Sequence, residues 1–225
     1  MRYVVESVDR AIAELRRGRH VVLMNDVAPP GRGRVDLVLP AELAQPLSMA
    51  MLVRFTSGFV NVALPRERCA ALRLPALGFS EDADERPLAA VAVDAANGVT
   101  TGISATDRAT TARLLADPDS VESDFTRPGH VVPLRVPTGA LRAHSGVALE
   151  VDLCRLAGLA PAAVRSELVH SRGELVGLHE AERVARAKHL VLLSARSAFR
   201  ELGIEQAGER PGDPTAGASV RVVGG

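Results

Sequence analysis

Short apolar runs alternate with helix-patterned segments along most of the chain, and no apolar run is long. His20 to Met24, Val60 to Leu64, Leu88 to Asp94, Val131 to Val136, Val164 to Val169 and Leu190 to Leu193 read as strands, and Asp36 to Leu39 resumes that pattern after a Pro/Gly loop from Asn25 to Arg34. Between them, Val8 to Arg17, Pro46 to Phe55, Pro65 to Leu72, Ala105 to Ala116, Val147 to Leu159, Leu178 to His189 and Ser194 to Leu202 carry helical spacing. In the first of these, Val8, Ile12 and Leu15 share one face, Ser7 offers an N-cap and Gly18 a stop. Strands and helices interleaved without a linker predict an α/β (α+β) fold: a single domain with a mixed sheet flanked by helices. The domain is read as residues 1–205, and the Pro- and Gly-rich residues 206–225 as a flexible C-terminal tail.

Composition narrows the function classes. The chain has 225 residues, with 27 basic and 27 acidic side chains. Zero net charge argues against a general nucleic-acid or membrane footprint, so neither is expected as a partner. Aromatic residues are 3%, with no Trp and a single tyrosine, Tyr3, so base-stacking platforms are not expected. Lys188 is the only lysine, which argues against Schiff-base chemistry. Cys69 and Cys154 fit no CxxC spacing and read as buried thiols. No signal pattern opens the chain, and no apolar run approaches the roughly 18 residues of a membrane span, so a cytoplasmic location is expected.

Three segments are too polar for plain core. Gly98 to Thr111 puts glycines and hydroxyls ahead of a helix, a natural anion cradle. It reads equally as a capped helix start, with Ser104 or Thr106 as N-cap. Arg127-Pro-Gly-His130 reads as a turn that delivers His130 to the mouth of a strand, where it could serve as acid or base. A structural histidine fits the same pattern. Glu167 lies inside the apolar run Val164 to Val169, as a general base or as a carboxylate on the solvated strand face.

Together these segments resemble the 3,4-dihydroxy-2-butanone 4-phosphate synthase family of the riboflavin pathway. The resemblance rests on GVTTGISATDRATTAR (Gly98 to Arg113), RPGHVVPLR (Arg127 to Arg135) and VDLCRLAGLAPAAVRSEL (Val151 to Leu168), and spans about residues 5–203. It implies an enzyme that makes a four-carbon dihydroxybutanone phosphate and formate from ribulose 5-phosphate. It also implies a homodimer with active sites at the subunit interface, and Mg²⁺ held by a Glu and a His. By position it implies catalytic roles for His130, Glu167 and Asp107. Ser57, Thr101, Ser104, Arg108, Thr111 and Arg127 match its substrate-binding stretches.

The chain departs from the family where the metal is held. The acidic loop reads Pro-Gly-Arg32-Gly-Arg34-Val-Asp36, so arginines stand where the family has acids. The metal-binding histidine position falls on Gly146, with His144 two residues away, and the family's cysteine position on Asn61. Two like unit charges about 4 Å apart repel by on the order of 4 kcal/mol at an effective dielectric near 20. The departures predict no metal cofactor. They predict a diverged enzyme of metal-independent acid–base chemistry, such as an enolisation, isomerisation, dehydration or lyase step, in specialised metabolism. In that reading Arg32, Arg34 and His144 join the residues that hold a small anionic substrate. The alternatives are an authentic synthase with a rearranged metal site, drawing on Asp26, Asp36 and His144, and a non-catalytic binding scaffold.

Overall fold

The computed structural model describes residues 5–28, 33–78, 87–137 and 145–204. Arg32, His144, residues 79–86 and residues 205–225 lie outside them. Among the described residues, seven α-helices and eight strands follow in the order α1 (Val8–Arg16), β1 (Val21–Asn25), β2 (Arg34–Pro40), α2 (Pro46–Phe55), β3 (Asn61–Pro65), α3 (Arg66–Ala71), β4 (Leu88–Ala89), β5 (Val93–Ala95), α4 (Ala105–Ala116), β6 (Phe125–Val136), α5 (Gly146–Leu156), β7 (Ala163–Glu167), α6 (Ala181–Ala187), β8 (Val191–Ser194) and α7 (Ala195–Glu201). The sheet order is β4-β6-β3-β7-β2-β1-β8, with β5 added on β6. The β1–β8 and β3–β6 pairs are parallel and the others antiparallel, so the sheet is mixed.

Apolar side chains fill both faces of the sheet. On one face Met49 and Leu52 of α2, Ala109, Ala112 and Leu115 of α4 and Val184 of α6 pack over Val22, Leu37, Val62 and Val164. On the other, Val8, Ala11 and Leu15 of α1, Leu149 and Leu153 of α5 and Phe199 of α7 pack over Leu23, Val38, Ala63 and Ala163. This is the mixed sheet flanked by helices that the alternating pattern predicts. Cys69 and Cys154 are free and buried, and burial pushes the Cys69 thiol up to about 12.

Three local readings are corrected. Leu88 to Asp94 is not one strand but two, and the β5–β6 register shifts between Val93 and Asp94. His130 does not sit at a strand mouth behind a turn. Strand β6 starts at Phe125 and runs through Pro128 and Gly129, with a cis Arg127–Pro128 bond. The strand tolerates this because Gly129 has no side chain: a Cβ there would lie 2.0 Å from the carbonyl carbon of Val93. The segment before Ala181 also differs, being a separate 3₁₀ turn at Leu178–Glu180.

Candidate active site

The β5–β6 irregularity creates the first half of the site. It turns the Asp94 carboxylate onto His130, where Oδ1 accepts the backbone N–H of His130 at 2.9 Å and Oδ2 lies 2.7 Å from Nδ1. A carboxylate at Nδ1 favours the proton there and leaves Nε2 as the open ring nitrogen. Asp94 is buried, whereas the His130 side chain is 41% exposed. Gly102 closes over the pair. Its φ is +85°, and a Cβ would fall 2.0 Å from Asp94 Oδ2 and 2.7 Å from His130 Nδ1. Only glycine fits both the left-handed backbone and the space. Asp94 escaped the sequence reading, although its signal was present: a lone acid in an apolar strand just before the Gly98 to Ser104 loop.

The loop ahead of α4 is organised by Asp107. Its Oδ2 accepts Thr100 Oγ1 at 2.7 Å and Gly102 N–H at 3.1 Å, and the Thr100 bond leads the effects that hold its carboxyl below the usual range. Ser104, not Thr106, is the N-cap, and its Oγ accepts the Asp107 N–H at 3.0 Å. Asp107 thus holds the loop through Thr100 and Gly102. Thr101 is exposed on that loop. Thr111 is fully buried, accepting from Ala95 N–H at 2.9 Å and donating to Asp107 carbonyl at 3.0 Å. It locks α4 to β5. The Arg127 guanidinium donates to the Leu72 and Phe125 carbonyls, binding β6 to the end of α3.

Arg108 links the two halves. It is buried, and Nη1 donates to the Gly58 carbonyl at 3.1 Å. Burial lowers its pKa while nearby Asp94 raises it, and Nε has no partner among the described residues. The neighbouring Ser57 donates its backbone N–H to the Glu167 carbonyl at 2.8 Å, and its Oγ lies 3.2 Å from Ser166 Oγ. The Ser57–Gly58 turn therefore ties the His130 side of the site to the Glu167 side.

On the second half, Glu167 Oε1 lies 2.7 Å from Arg34 Nη1. A cavity of about 360 Å³ opens there, lined by Gly33, Arg34, Val35, Glu167, Leu168 and Val176. Its size suits a small metabolite. A larger hollow of about 890 Å³, bounded by Glu42, Arg113, Asp117 and Gly158, holds none of the expected site residues. Behind Glu167 lies a buried ionic cluster. Arg165 Nη2 is 2.5 Å from Asp36 Oδ2, and Arg165 Nε is 3.0 Å from Glu150 Oε2. Burial works against the Arg165 charge, but Asp36 and Glu150 outweigh it and raise its pKa. Burial raises Glu150, against the pull of Arg165.

The mixed sheet presents a histidine–aspartate pair and an arginine–glutamate pair, joined by one turn. The chain belongs to the 3,4-dihydroxy-2-butanone 4-phosphate synthase family, whose model matches residues 9–200. Riboflavin biosynthesis protein RibBA of Salinispora arenicola is 42% identical over 84% of this chain and 44% of its own length, so the chain spans under half of that relative. A structure of 3,4-dihydroxy-2-butanone 4-phosphate synthase of Candida albicans matches with a TM-score of 0.79 at 33% identity, covering 88% of this chain and 98% of that one. A structure of such a synthase in complex with two magnesium ions matches with a TM-score of 0.78 at 34% identity, covering 88% and 96%.

These likenesses overturn two expectations. The diverged, metal-independent enzyme of specialised metabolism gives way to the synthase reading, because relatives this similar carry riboflavin-pathway names. The expectation of no cofactor falls with it, because a close structural match holds magnesium. Part of the error is local. Arg34 is not in the loop but opens β2, and Glu167 answers its charge.

The described residues do not themselves fit the cation. Among them no three His, Cys, Asp or Glu side chains are arranged to hold a metal ion. Asp26 accepts from Ser194 Oγ and Arg196 N–H, and Asp36 is engaged by Arg165. Helix α5 starts on Gly146, where a Cβ would lie 2.6 Å from Asn25 Cγ, so a side chain there would have to displace the Asn25 amide.

Proposed function

We propose that this chain is a 3,4-dihydroxy-2-butanone 4-phosphate synthase, converting ribulose 5-phosphate to the four-carbon ketone phosphate and formate. The atoms balance without an oxidant or reductant: five carbons enter, and four plus one leave. A divalent cation, as in the magnesium-bound neighbour, belongs to this reading and would polarise carbonyl and hydroxyl oxygens. The observation that carries it is the His130–Asp94 pair tied through Arg108, Gly58 and Ser57 to Glu167.

In this reading His130, with its Nδ1 proton held by Asp94, works through Nε2 as one acid–base group. Glu167 is the other, taking a proton from a substrate carbon or hydroxyl and returning it. Ser57, Thr101, Ser104 and Arg108 surround the substrate, and its phosphate competes with Glu167 for Arg34. The active unit is a homodimer in the cytoplasm. Phe59 (62% exposed) and Ile103 (52% exposed), apolar side chains beside the Ser57–Gly58 turn and the α4 cap, support a partner covering the site. Among the described residues no helix is long and apolar enough to cross a membrane.

The test is carbon-13 NMR of uniformly labelled ribulose 5-phosphate incubated with the full chain and magnesium chloride. Formate and a four-carbon product are expected. A substrate spectrum unchanged after prolonged incubation refutes the proposal.

A further inference from the structure

Three carboxylates meet around one face of the sheet. Asp36 and Glu167 stand directly opposite each other in the β2–β7 ladder, and Glu150 reaches the same face from α5. Directly opposed side chains in an antiparallel pair have Cβ atoms about 4.5–5.5 Å apart. Two carboxylates at such spacing compete for one proton. The fold separates them by giving each its own guanidinium. Arg34 takes Glu167 from the exposed side, while Arg165, buried two residues earlier on the same strand face as Glu167, reaches diagonally to Asp36. Glu150 fixes the Arg165 fork through Nε.

The two arginines differ in freedom. Arg34 is 56% exposed and can exchange Glu167 for an anion, whereas Arg165 is 5% exposed and held by two buried acids. We infer that Arg165 is a positioning residue for Glu167: it draws Asp36 aside, so that Glu167 takes and gives up its proton alone. The inference rests on Glu167 being a proton-transfer group of the proposed reaction. Among the described residues, the charged groups around Glu167 are Arg34 and Asp36 from β2, Arg165 from β7 and Glu150 from α5. Asn61 of β3, the cross-strand partner of Arg165 on the other side, is a neutral amide. Without Arg165, Asp36 and Glu167 become a coupled pair whose protonation belongs to both.

The experiment is a carboxyl carbon-13 NMR titration of the full chain, with magnesium chloride present. Arg165→Met alone would strand two buried acids, so Glu150→Leu accompanies it. Wild type is compared with Glu150→Leu/Arg165→Met and with Asp36→Asn/Glu150→Leu/Arg165→Met. The Glu167 midpoint is expected to rise by about one pH unit or more in the double variant and to return to the wild-type value in the triple. A purely structural role predicts no such return. An unmoved midpoint in a folded double variant overturns the inference, and so does a raised midpoint in the triple. The triple variant strands no acid, so its arm stands even where the double variant fails to fold. The titration needs no turnover. Formate release by the wild type is scored beside it, and its absence refutes the proposed reaction without altering the reading of the midpoints.

Discussion

His130 and Asp94 are bound to each other twice, by the backbone N–H of His130 at 2.9 Å and by its ring Nδ1 at 2.7 Å, both on the Asp94 carboxylate. The double attachment fixes ring orientation and tautomer together. Asp94→Asn keeps the shape and removes the charge. It is expected to lower kcat for formate release by roughly 10²- to 10⁴-fold, the usual worth of a positioned acid–base group. KM is expected to change little. An Asp94→Asn enzyme with near wild-type kcat would show that the pair is only structural.

Gly102 guards that pair. Gly102→Ala would force a methyl group onto Asp94 Oδ2 and His130 Nδ1 from a backbone at φ +85°. Activity is expected to fall by at least about tenfold, in the manner of other displaced catalytic groups, with far-ultraviolet circular dichroism unchanged. Full activity in the alanine variant would mean that the loop does not pack on the pair during turnover.

The Arg34–Glu167 pair separates catalysis from stability. Arg34 is largely exposed, and such pairs contribute less than about 1 kcal/mol. Arg34→Ala is therefore expected to leave the urea midpoint near that of wild type while raising KM for ribulose 5-phosphate. Glu167→Gln is expected to lower kcat by roughly 10²-fold or more. Equal losses of stability and activity in Arg34→Ala would contradict this division.

His20 gives a pH signature unrelated to the site. It is buried before β1, and burial lowers its pKa from 6.5 to about 4, partly opposed by a hydrogen bond to the Ser48 backbone. The unfolded chain therefore binds more protons than the folded one between those values. The stability gained from neutral His20 is full above about pH 6.5 and is lost as pH falls toward about 4. Urea unfolding at pH 7 and pH 4.5 is expected to show a smaller loss in His20→Leu than in wild type. Equal losses in both would show that other groups carry the acid sensitivity.

Much of the fold was legible because burial follows periodicity. The runs around Val22, Val62 and Val164 became central strands, and Val8, Ile12 and Leu15 became the buried face of α1. Pro128 and Gly129 misled, because a Pro-Gly dipeptide ordinarily signals a turn. Here a bulge and the missing Cβ of Gly129 admit both residues to a strand. Within the candidate site, Glu167 stands out as an acid in an apolar run and His130 as a histidine beside a strand, whereas Arg108 is marked only by the family resemblance. Asp94 is marked only as a lone acid in an apolar strand, since its contact with His130 depends on a register shift. Arg165 and Glu150 were missed for a related reason: α5 and β7 meet only in three dimensions. Thr111 and Arg127 stand at family-like positions, and their polar atoms also hold the helix ends to the strands.

The central claim is the reaction itself, and formate counted against substrate tests it most directly. With ribulose 5-phosphate and magnesium chloride, the full chain is expected to release one formate per sugar phosphate consumed. Chelation by EDTA is expected to stop the release, and added magnesium to restore it. Sugar phosphate consumed without formate, or no consumption at all under these conditions, would contradict the account.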